Sequence, residues 1–388
     1  MTPDHAELVI VGGGPAAMAC ARAYRDVGAA GSVVMVADEG RMPYRRPPLT
    51  KEYLRGAVTA DALPLEESGW PAANGVGFVA GRATALDPSA RRIGLANGRE
   101  LSYANCLLAP GARPVRLPID GADDPGVLVI RTLEHARDLV DRLQPGHRVI
   151  VMGSGFVGCE VAASLSRRGH PVHLISDEPL PQARRLGDDV GRRLRDWLEA
   201  DDVTLALGAA VERVTRAAGE LAVHTAAGSA RADLIVMAAG AAPRTELARS
   251  AGLPLHGGAV PADAGMRTAA PGVLAAGDVC RAQHAIAGRS LHVEHWGSAI
   301  AQGDVAGRTA AGAEAEWDVV PGFWSTIGER TLKYAAWGDG HDDVAQTYGA
   351  DGAFTVRYRA GGRLVGVLTH GHDEDYAAGR DEIAAGAA

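Results

Sequence analysis

The chain has 388 residues, of which 47% are hydrophobic and 22% are charged. This length exceeds what one hydrophobic core usually organises, so two or three domains are predicted, with the composition of a globular enzyme. The formal net charge of -8 argues against a nucleic-acid partner, which needs a basic face. No apolar run is long enough for a membrane helix, and no cationic segment precedes the first apolar stretch, so we expect a cytoplasmic protein.

An apolar strand is predicted first, over residues 8–11, and it leads into a glycine-rich turn and a helix. The turn spans residues 12–17, and its candidate cofactor-binding residues are Gly12, Gly14, Pro15, Ala16 and Ala17. Glycine is needed there because the backbone bends sharply and approaches a pyrophosphate, which the positive end of the following helix attracts. The segment predicts a dinucleotide-binding fold, although one such turn alone is a weak signal.

The next strand is predicted over residues 33–36, and acidic residues follow it. Asp38 lies where a carboxylate accepts a hydrogen bond from the adenosine ribose. The neighbouring residue Glu39 is the alternative for that role.

The same signature occurs again after a strand predicted at residues 149–152. This second turn contains Gly153, Gly155, Phe156, Val157 and Gly158. Two copies, each framed by a strand and a helix, are a much stronger indication than one. A chain that holds two dinucleotides side by side can pass a hydride between them, so the sequence predicts an oxidoreductase.

The cysteines argue against electron transfer through a pair of thiols. Cys20, Cys106, Cys159 and Cys280 are far apart, with no CxxC or CxxxxC spacing. Cys20 and Cys159 lie in the helices after the two turns, where a small buried thiol is the usual occupant. We expect no disulfide-reducing role, and no metal site either, because the histidines lack ligand spacing.

Several further motifs follow one another along the chain. They are PYRRPPLTK at 43–51, Ala-Pro-Gly at 109–111, GSGFVGCE at 153–160, AAGDV at 275–279 and EHW at 294–296. This set resembles the FAD-dependent ferredoxin reductases that serve oxygenases and cytochromes P450, with apoptosis-inducing factor as a more distant relative. In that family the proline-rich segment takes the place of the redox cysteines of glutathione reductase.

The resemblance implies an α/β fold with two doubly wound, Rossmann-like nucleotide-binding domains, one inserted in the other, and a small α+β C-terminal domain. The implied limits are 1–114 and 242–320 for the FAD domain, 115–241 for the NAD(P)H domain and 321–388 for the C-terminal interface domain. A strand at residues 234–240 is predicted to lead out of the insert. Alternating residues at 354–358 and 364–368 predict strands of the last domain.

The resemblance also implies roles for residues around the flavin. Lys51 and Glu160 would form an ion pair near the flavin N5 and orient the nicotinamide, and Trp296 would lie against the isoalloxazine. Asp278 would hold the ribityl chain, and Arg46 would meet the flavin. The other implied cofactor contacts are Ala83, Ala109, Gly111, Arg113, Arg131, Gly240, Gly277, Glu294 and His295. For Glu160 and Asp278 the alternative is simple stabilisation of a helix N-terminus.

The choice of nicotinamide cofactor depends on the end of the second strand of the insert, where NAD recognition usually needs an acid. Residues 172–175 lead into Ser176, and Asp177 follows one position later. Arg184 and Arg185 are alternatives that can meet the 2′-phosphate of NADPH. NADH is therefore expected, with NADPH left open.

The resemblance implies that electrons pass from FAD to a small acidic [2Fe-2S] ferredoxin. Residues 323–328 lack the acid and amide usual in the family, and Arg45 replaces an acid. Arg45, Arg46, Arg330 and Lys333 either form a docking patch or are ordinary surface. The alternatives are a flavin oxidase, a reductase of a quinone or other small molecule, and a binding protein like apoptosis-inducing factor. A monomer or a homodimer is expected.

Overall fold

The computed structural model describes residues 4–67 and 69–387, so residues 1 and 388, the outer limits of the predicted domains, lie outside the described residues. The first part of the chain alternates strands with helices as far as β3 and then continues as a run of strands. Its elements are β1 (His5–Val11), α1 (Pro15–Asp26), β2 (Val33–Ala37), α2 (Trp70–Ala73), β3 (Val76–Ala80), β4 (Ala83–Asp87), β5 (Arg92–Leu95), β6 (Glu100–Leu108) and β7 (Ala112–Pro114). A short 3-10 helix, Pro47–Thr50, lies within the proline-rich segment.

The first sheet has the strand order β3-β2-β1-β6-β5-β4. β1 pairs in parallel with both β2 and β6. Every residue of β2 is buried, which is typical of a parallel strand covered by structure on both faces. The carboxyl end of β1 therefore opens directly into the first glycine turn and helix α1.

The second part builds a separate parallel sheet. Its elements are β8 (Val127–Leu128), α3 (Leu133–Arg142), β9 (Val149–Met152), α4 (Phe156–Arg167), β10 (Val172–Ser176), α5 (Ala183–Leu186), α6 (Asp188–Ala200), β11 (Val203–Leu207), β12 (Val211–Ala217), β13 (Glu220–Thr225), β14 (Gly228–Ala232) and β15 (Leu234–Met237). The strand order is β11-β10-β9-β15-β8, and β12-β13-β14 form an antiparallel sheet. The second glycine turn thus joins the central strand β9 to helix α4.

The third part returns to the first sheet. Its elements are β16 (Ala241–Pro243), α7 (Glu246–Ser250), β17 (Val260–Ala262), β18 (Val273–Ala275), β19 (Cys280–His284), β20 (Arg289–His292) and α8 (Trp296–Ala310). β18 pairs in parallel with β6, and β16 pairs with β7 where the chain leaves the first sheet and comes back. The second sheet, whose strands are all parallel, is therefore inserted in the first, in which β4 and β5 are antiparallel and the other strands are parallel; this arrangement confirms the predicted fold class.

The last part is an antiparallel sheet with one helix. Its elements are β21 (Gly322–Ile327), β22 (Arg330–Ala336), β23 (Asp343–Tyr348), β24 (Phe354–Ala360), β25 (Arg363–His370) and α9 (Asp373–Ala385). The strand order is β21-β22-β25-β24-β23. Ile327 and Phe354 share a hydrophobic core with Val161 and Leu165 of α4. The C-terminal sheet is therefore packed against the helix that follows the second glycine turn.

Helices α1 and α8 approach each other closely because glycine lines the contact. A Cβ at Gly303 would lie 2.3 Å from the carbonyl oxygen of Ala16, and one at Gly307 would lie 2.3 Å from that of Cys20. Both distances are far inside van der Waals contact. The glycines of α8 thus fix the position of α1, whose N-terminus bounds the first glycine turn.

We predict that Gly303→Ala destabilises the protein by about 1–3 kcal/mol, because the added methyl group must push two packed helices apart. Gly297→Ala in the same helix is the matched control, since its Cβ would lie 3.5 Å from the nearest atom, the carbonyl oxygen of Gly322. That variant is expected to be neutral or slightly stabilising, because alanine favours helix. Denaturant unfolding followed by circular dichroism measures both effects. Equal stability of the two variants would contradict the prediction.

Candidate active site

A cavity of about 390 Å³ extends from the first glycine turn to the start of helix α4. Many of the residues predicted from the sequence lie on its wall. They are Gly12, Gly14, Pro15, Ala16, Asp38, Arg46, Lys51, Ala83, Ala109, Gly111, Arg131, Phe156, Val157, Glu160, Gly277, Asp278, Glu294, His295 and Trp296. The predicted residues outside this wall are Ala17, Arg113, Gly153, Gly155, Gly158, Asp177 and Gly240.

The first glycine turn has the geometry of a cradle. Gly12 has a φ of +141°, and its Cβ would lie 2.0 Å from the carbonyl oxygen of Ala109. At Gly14 a Cβ would meet no atom within 4 Å, so the backbone faces open space at the N-terminus of α1. Backbone N–H groups at a helix N-terminus attract phosphate groups. The turn therefore fits the pyrophosphate of a dinucleotide.

The two acidic candidates after β2 have different partners. Glu39 accepts hydrogen bonds from the Arg46 guanidinium at 2.5 Å and from the Tyr44 hydroxyl at 2.6 Å. Burial raises the pKa of Tyr44 to about 12, so this hydroxyl stays protonated and able to donate. Asp38 is half-exposed and pairs with Arg244 at 3.0 Å. Asp38 is thus the carboxylate with more freedom to accept a ribose hydroxyl.

Arg131 and Asp278 form an ion pair at 2.5 Å in the middle of the cavity wall. Asp278 belongs to a 3-10 turn, Gly277–Val279, rather than to the long helix that follows an ordinary Rossmann strand. Gly111 lies beside the pair, with a φ of +70° and with its Cβ position 3.6 Å from the Arg131 guanidinium. Glycine at this position leaves room for a ligand to reach both charged groups.

Lys51 and Glu160 meet at the other end of the cavity. Lys51 Nζ lies 2.7 Å from Glu160 Oε2, and each side chain is 6% exposed. The Thr50 hydroxyl donates to the same oxygen at 2.5 Å, and the Ser325 hydroxyl donates to Oε1 at 2.7 Å. The Lys51 ammonium also donates to the carbonyl oxygen of Pro47 at 3.0 Å. The pair is therefore buried, and it is held by hydrogen bonds from the segment that carries Lys51 and from the C-terminal sheet.

The C-terminal sheet supplies part of the cavity wall that sequence reasoning did not assign to the site. Phe323 packs against Phe156 with ring centroids 4.8 Å apart and against His295 at 4.6 Å. Trp324 lies on the same wall and is 45% exposed. Thr50, Arg185 and Arg244 are further residues that the prediction left out of the flavin site. Thr50 belongs to the PYRRPPLTK motif, which was a signal that this prediction did not use.

The three glycines of the second turn lie outside the cavity wall, whereas Phe156 and Val157 of the same turn lie on it. Gly153 has a φ of +106°, and a Cβ at Gly158 would lie 2.0 Å from the carbonyl oxygen of Gly153. This third position must be glycine, because the first turn of α4 crosses the backbone of the loop. Gly240 has a φ of +100° at the chain's return from the second sheet.

The last residue of β10, Ser176, contacts this second turn, and two acids follow it. The Ser176 hydroxyl is buried and is 2.8 Å from the Ser154 hydroxyl. Asp177 and Glu178 lie 3.5 and 3.7 Å from the exposed Arg184 guanidinium. Arg185 instead lines the flavin-side cavity, so the two arginines do not face one common site.

The comparisons with known proteins identify the family. Residues 6–303 match the family described as pyridine nucleotide-disulphide oxidoreductase. The chain belongs to this family. All four cysteines lie in the described part of the chain, and each is a free, buried thiol whose pKa is raised by burial.

The chain is 33% identical over 372 residues to apoptosis-inducing factor 3 of Homo sapiens, which covers 94% of the chain and 61% of that protein. It thus spans less than two thirds of that relative. It is 35% identical over 387 residues to the ferredoxin–NAD(+) reductase component of the anthranilate 1,2-dioxygenase system of Burkholderia cepacia, covering 98% and 94%. The crystal structure of the covalent putidaredoxin reductase–putidaredoxin complex matches with a TM-score of 0.93 at 27% identity, covering 100% and 94%.

The resemblance to ferredoxin reductases predicted from the motifs is confirmed by these relatives. Within residues 4–67 and 69–387, no helix combines the length and the apolar character that a membrane crossing requires.

His295 generates a pH prediction. Burial, with the nearby charge of Arg185, lowers its pKa from 6.5 to about 4. Between these values the unfolded chain binds a proton that the folded protein does not, so stability falls as the pH decreases from 6.5 to 4. Because phenylalanine binds no proton, we expect the free energy of unfolding of His295→Phe to decrease by roughly 1–3 kcal/mol less than that of the wild type over this pH range. Thermal unfolding of both proteins at pH 8, 6 and 4.5 measures it, and parallel pH profiles would contradict it.

Proposed function

We propose that the protein is an NAD(P)H-dependent FAD oxidoreductase that passes electrons to a small iron–sulfur protein. One observation carries the proposal: a single cavity joins the first glycine turn to Lys51 and Glu160, and Glu160 is on the helix that follows the second glycine turn. A dinucleotide on each turn would therefore lie near this charged pair.

The remaining site roles and the domain limits predicted from the sequence belong to the same proposal. Gly12, Gly14 and α1 bind the FAD pyrophosphate, Asp38 binds the ribose, and Arg131 with Asp278 binds the chain between phosphate and flavin. The limits 114/115 and 241/242 are supported by β7 and β16, which pair with each other at the two crossings between the parallel sheets.

Held by the first glycine turn, Arg131 and Asp278, an FAD would supply the chemistry that converts a hydride from a nicotinamide into single electrons. The protein contributes the relative position of the two nucleotides and the electric field between them. Lys51 and Glu160 present a fixed dipole at the end of the cavity, and no reorganisation of water is needed there because both side chains are 6% exposed. Phe156 and Phe323 close the adjoining wall with an edge-to-face contact that excludes water.

NADH is the proposed donor. A 2′-phosphate at the end of β10 would meet the carboxylates of Asp177 and Glu178 with one arginine, Arg184, beside them. The Ser176 hydroxyl already bonds with Ser154, so it does not replace an acid in ribose recognition. Asp177 is 61% exposed and is the carboxylate we assign to the adenosine ribose.

The acceptor is proposed from the relatives and from the surface beside the flavin cavity. One relative is named a ferredoxin–NAD(+) reductase component, and the matching crystal structure contains putidaredoxin. Trp324 on the cavity wall is 45% exposed, which provides apolar surface for a protein partner. An acidic ferredoxin remains the proposed partner, of a monomer or homodimer.

The free thiols support the cytoplasm as the location, since disulfides are rare there.

The predicted basic docking patch receives limited support. Arg46 points inward to Glu39, Arg330 lies 3.4 Å from Asp201, and Lys333 lies 2.7 Å from Asp373. Because these three cations already have acidic partners, we assign docking to the apolar surface and to exposed Arg45 rather than to the full set.

The test is anaerobic stopped-flow absorbance. Mixing with NADH is expected to bleach the flavin faster than mixing with NADPH, and an oxidised [2Fe-2S] ferredoxin is expected to restore the yellow colour quickly. A quinone and dioxygen are the comparison acceptors. Reoxidation by a quinone or by dioxygen but not by ferredoxin would favour a small-molecule reductase or an oxidase. A reduced form that persists with every acceptor would favour a binding protein like apoptosis-inducing factor, to which the chain is 33% identical.

We predict that the charged pair matters more for the reaction than for stability. Lys51→Met or Glu160→Gln alone leaves a buried group unpaired, which costs about 3–5 kcal/mol. The double variant should recover most of that stability, yet reduce its flavin at least tenfold more slowly at saturating NADH (roughly 10²-fold is usual for a lost electrostatic stabiliser). Stopped-flow absorbance and thermal unfolding measure the two effects, and retained flavin absorbance shows that FAD is bound. A double variant that reacts at the wild-type rate would disprove this role.

A further inference from the structure

Strand β21 of the C-terminal sheet lies along helix α4. Phe323 contacts Phe156 at the start of the helix, and Glu329, just beyond the strand, pairs with Arg167 at its end at 2.6 Å. Between them Ser325 reaches Glu160. Alternate residues of a strand point to one face, and residues four apart follow one face of a helix. The strand and the helix therefore match in register along their contact.

The two oxygens of the Glu160 carboxylate differ in their number of hydrogen-bond partners. Oε2 has both the Lys51 ammonium at 2.7 Å and the Thr50 hydroxyl at 2.5 Å. Oε1 accepts its hydrogen bond from Ser325 at 2.7 Å. Ser325 is 1% exposed, so water does not readily replace its hydroxyl. The direction in which the carboxylate plane points is thus set from the C-terminal sheet.

We propose that Ser325 is a positioning residue for hydride transfer: its hydroxyl orients the Glu160 carboxylate toward Lys51. This inference rests on the proposed function, because it assigns a role within the same reaction. The C-terminal sheet then does more than bear Trp324 at the rim of the cavity. It supplies one of the hydrogen bonds that hold the charged pair, so its docking on α4 and the geometry at the nicotinamide are set together.

The obvious variant is Ser325→Ala. Without the hydroxyl, Oε1 has no fixed donor, and a buried carboxylate that loses a donor turns toward whatever partner remains. We expect flavin reduction at saturating NADH to slow about tenfold, while the NADH concentration that gives half the maximal rate changes less than twofold. The matched control is Thr326→Ala on the same strand, because the Thr326 hydroxyl bonds with Thr331 at 2.9 Å and not with Glu160. This control is expected to react at the wild-type rate.

A double-variant comparison separates positioning from packing. In a Glu160→Gln background the charge that Ser325 orients is gone, so adding Ser325→Ala is expected to leave the rate of that background unchanged. If Ser325 acted only by filling space, Ser325→Ala would slow both backgrounds by the same factor. That equal slowing, or a wild-type rate for Ser325→Ala alone, would overturn the proposal.

Denaturant unfolding measures the Ser325–Glu160 contact without any reaction. The four proteins compared are the wild type, Ser325→Ala, Glu160→Gln and the double variant. A hydrogen bond to a charged group is about twice as strong as a neutral one, so Ser325→Ala is expected to raise the unfolding equilibrium constant about tenfold in the wild-type background and less in the Glu160→Gln background. If Ser325→Ala changed the unfolding equilibrium constant equally in the two backgrounds, the inferred hydrogen bond between Ser325 and Glu160 would be wrong. Because this measurement uses neither nucleotide nor acceptor, it distinguishes a failure of the Ser325 inference from a failure of the proposed reductase function.

Discussion

The buried ion pair between Lys51 and Glu160 is the interaction on which the arrangement of the site depends. Removing two charges from water is unfavourable, and a buried pair is seldom more stable than well-packed apolar side chains. The pair persists here because Pro47, Thr50 and Ser325 satisfy its remaining hydrogen-bonding capacity. Those groups come from the proline-rich segment and the C-terminal sheet, whereas Glu160 comes from the second parallel sheet's helix α4. The pair forms only where these parts meet.

Close backbone contacts impose a second constraint on the same region. The first glycine turn is fixed by the approach of Gly12 to Ala109, and the helix behind it is fixed by the approach of Gly303 to Ala16. A side chain at either glycine would displace the N-terminus of α1 relative to the cavity. The protein thus uses small residues to set the position of backbone N–H groups and uses charged side chains to set the field at the other end. Because the packing around the first glycine turn is tight, the distance from this turn to the Lys51–Glu160 pair is fixed.

The sequence was sufficient to predict both parallel sheets, because strand, glycine turn and helix are local patterns in which each residue's role depends on near neighbours. It was also sufficient to predict that Lys51 and Glu160 belong together, through a resemblance that covers both motifs. Ser325 and Phe323 were not assigned to the site, since their contacts with Glu160 and Phe156 join residues more than 160 positions apart. The partner of Arg46 was missed for a different reason: whether an arginine faces solvent or the partly buried carboxylate of Glu39 is decided by tertiary packing.

The C-terminal sheet connects the entry and the exit of electrons in the proposed reaction. On β21, Ser325 faces the buried pair and the adjacent Trp324 is 45% exposed at the cavity rim. Successive residues of a strand point to opposite sides, so a partner that contacts Trp324 pushes on the backbone of the residue that holds Glu160. The ion pairs of Arg167 with Glu329 and with Asp201 resist such movement, because they fix the far end of the same helix. In the proposed reaction, a partner docked at Trp324 would therefore meet a sheet that is tied to α4, and the Lys51–Glu160 pair would keep its position.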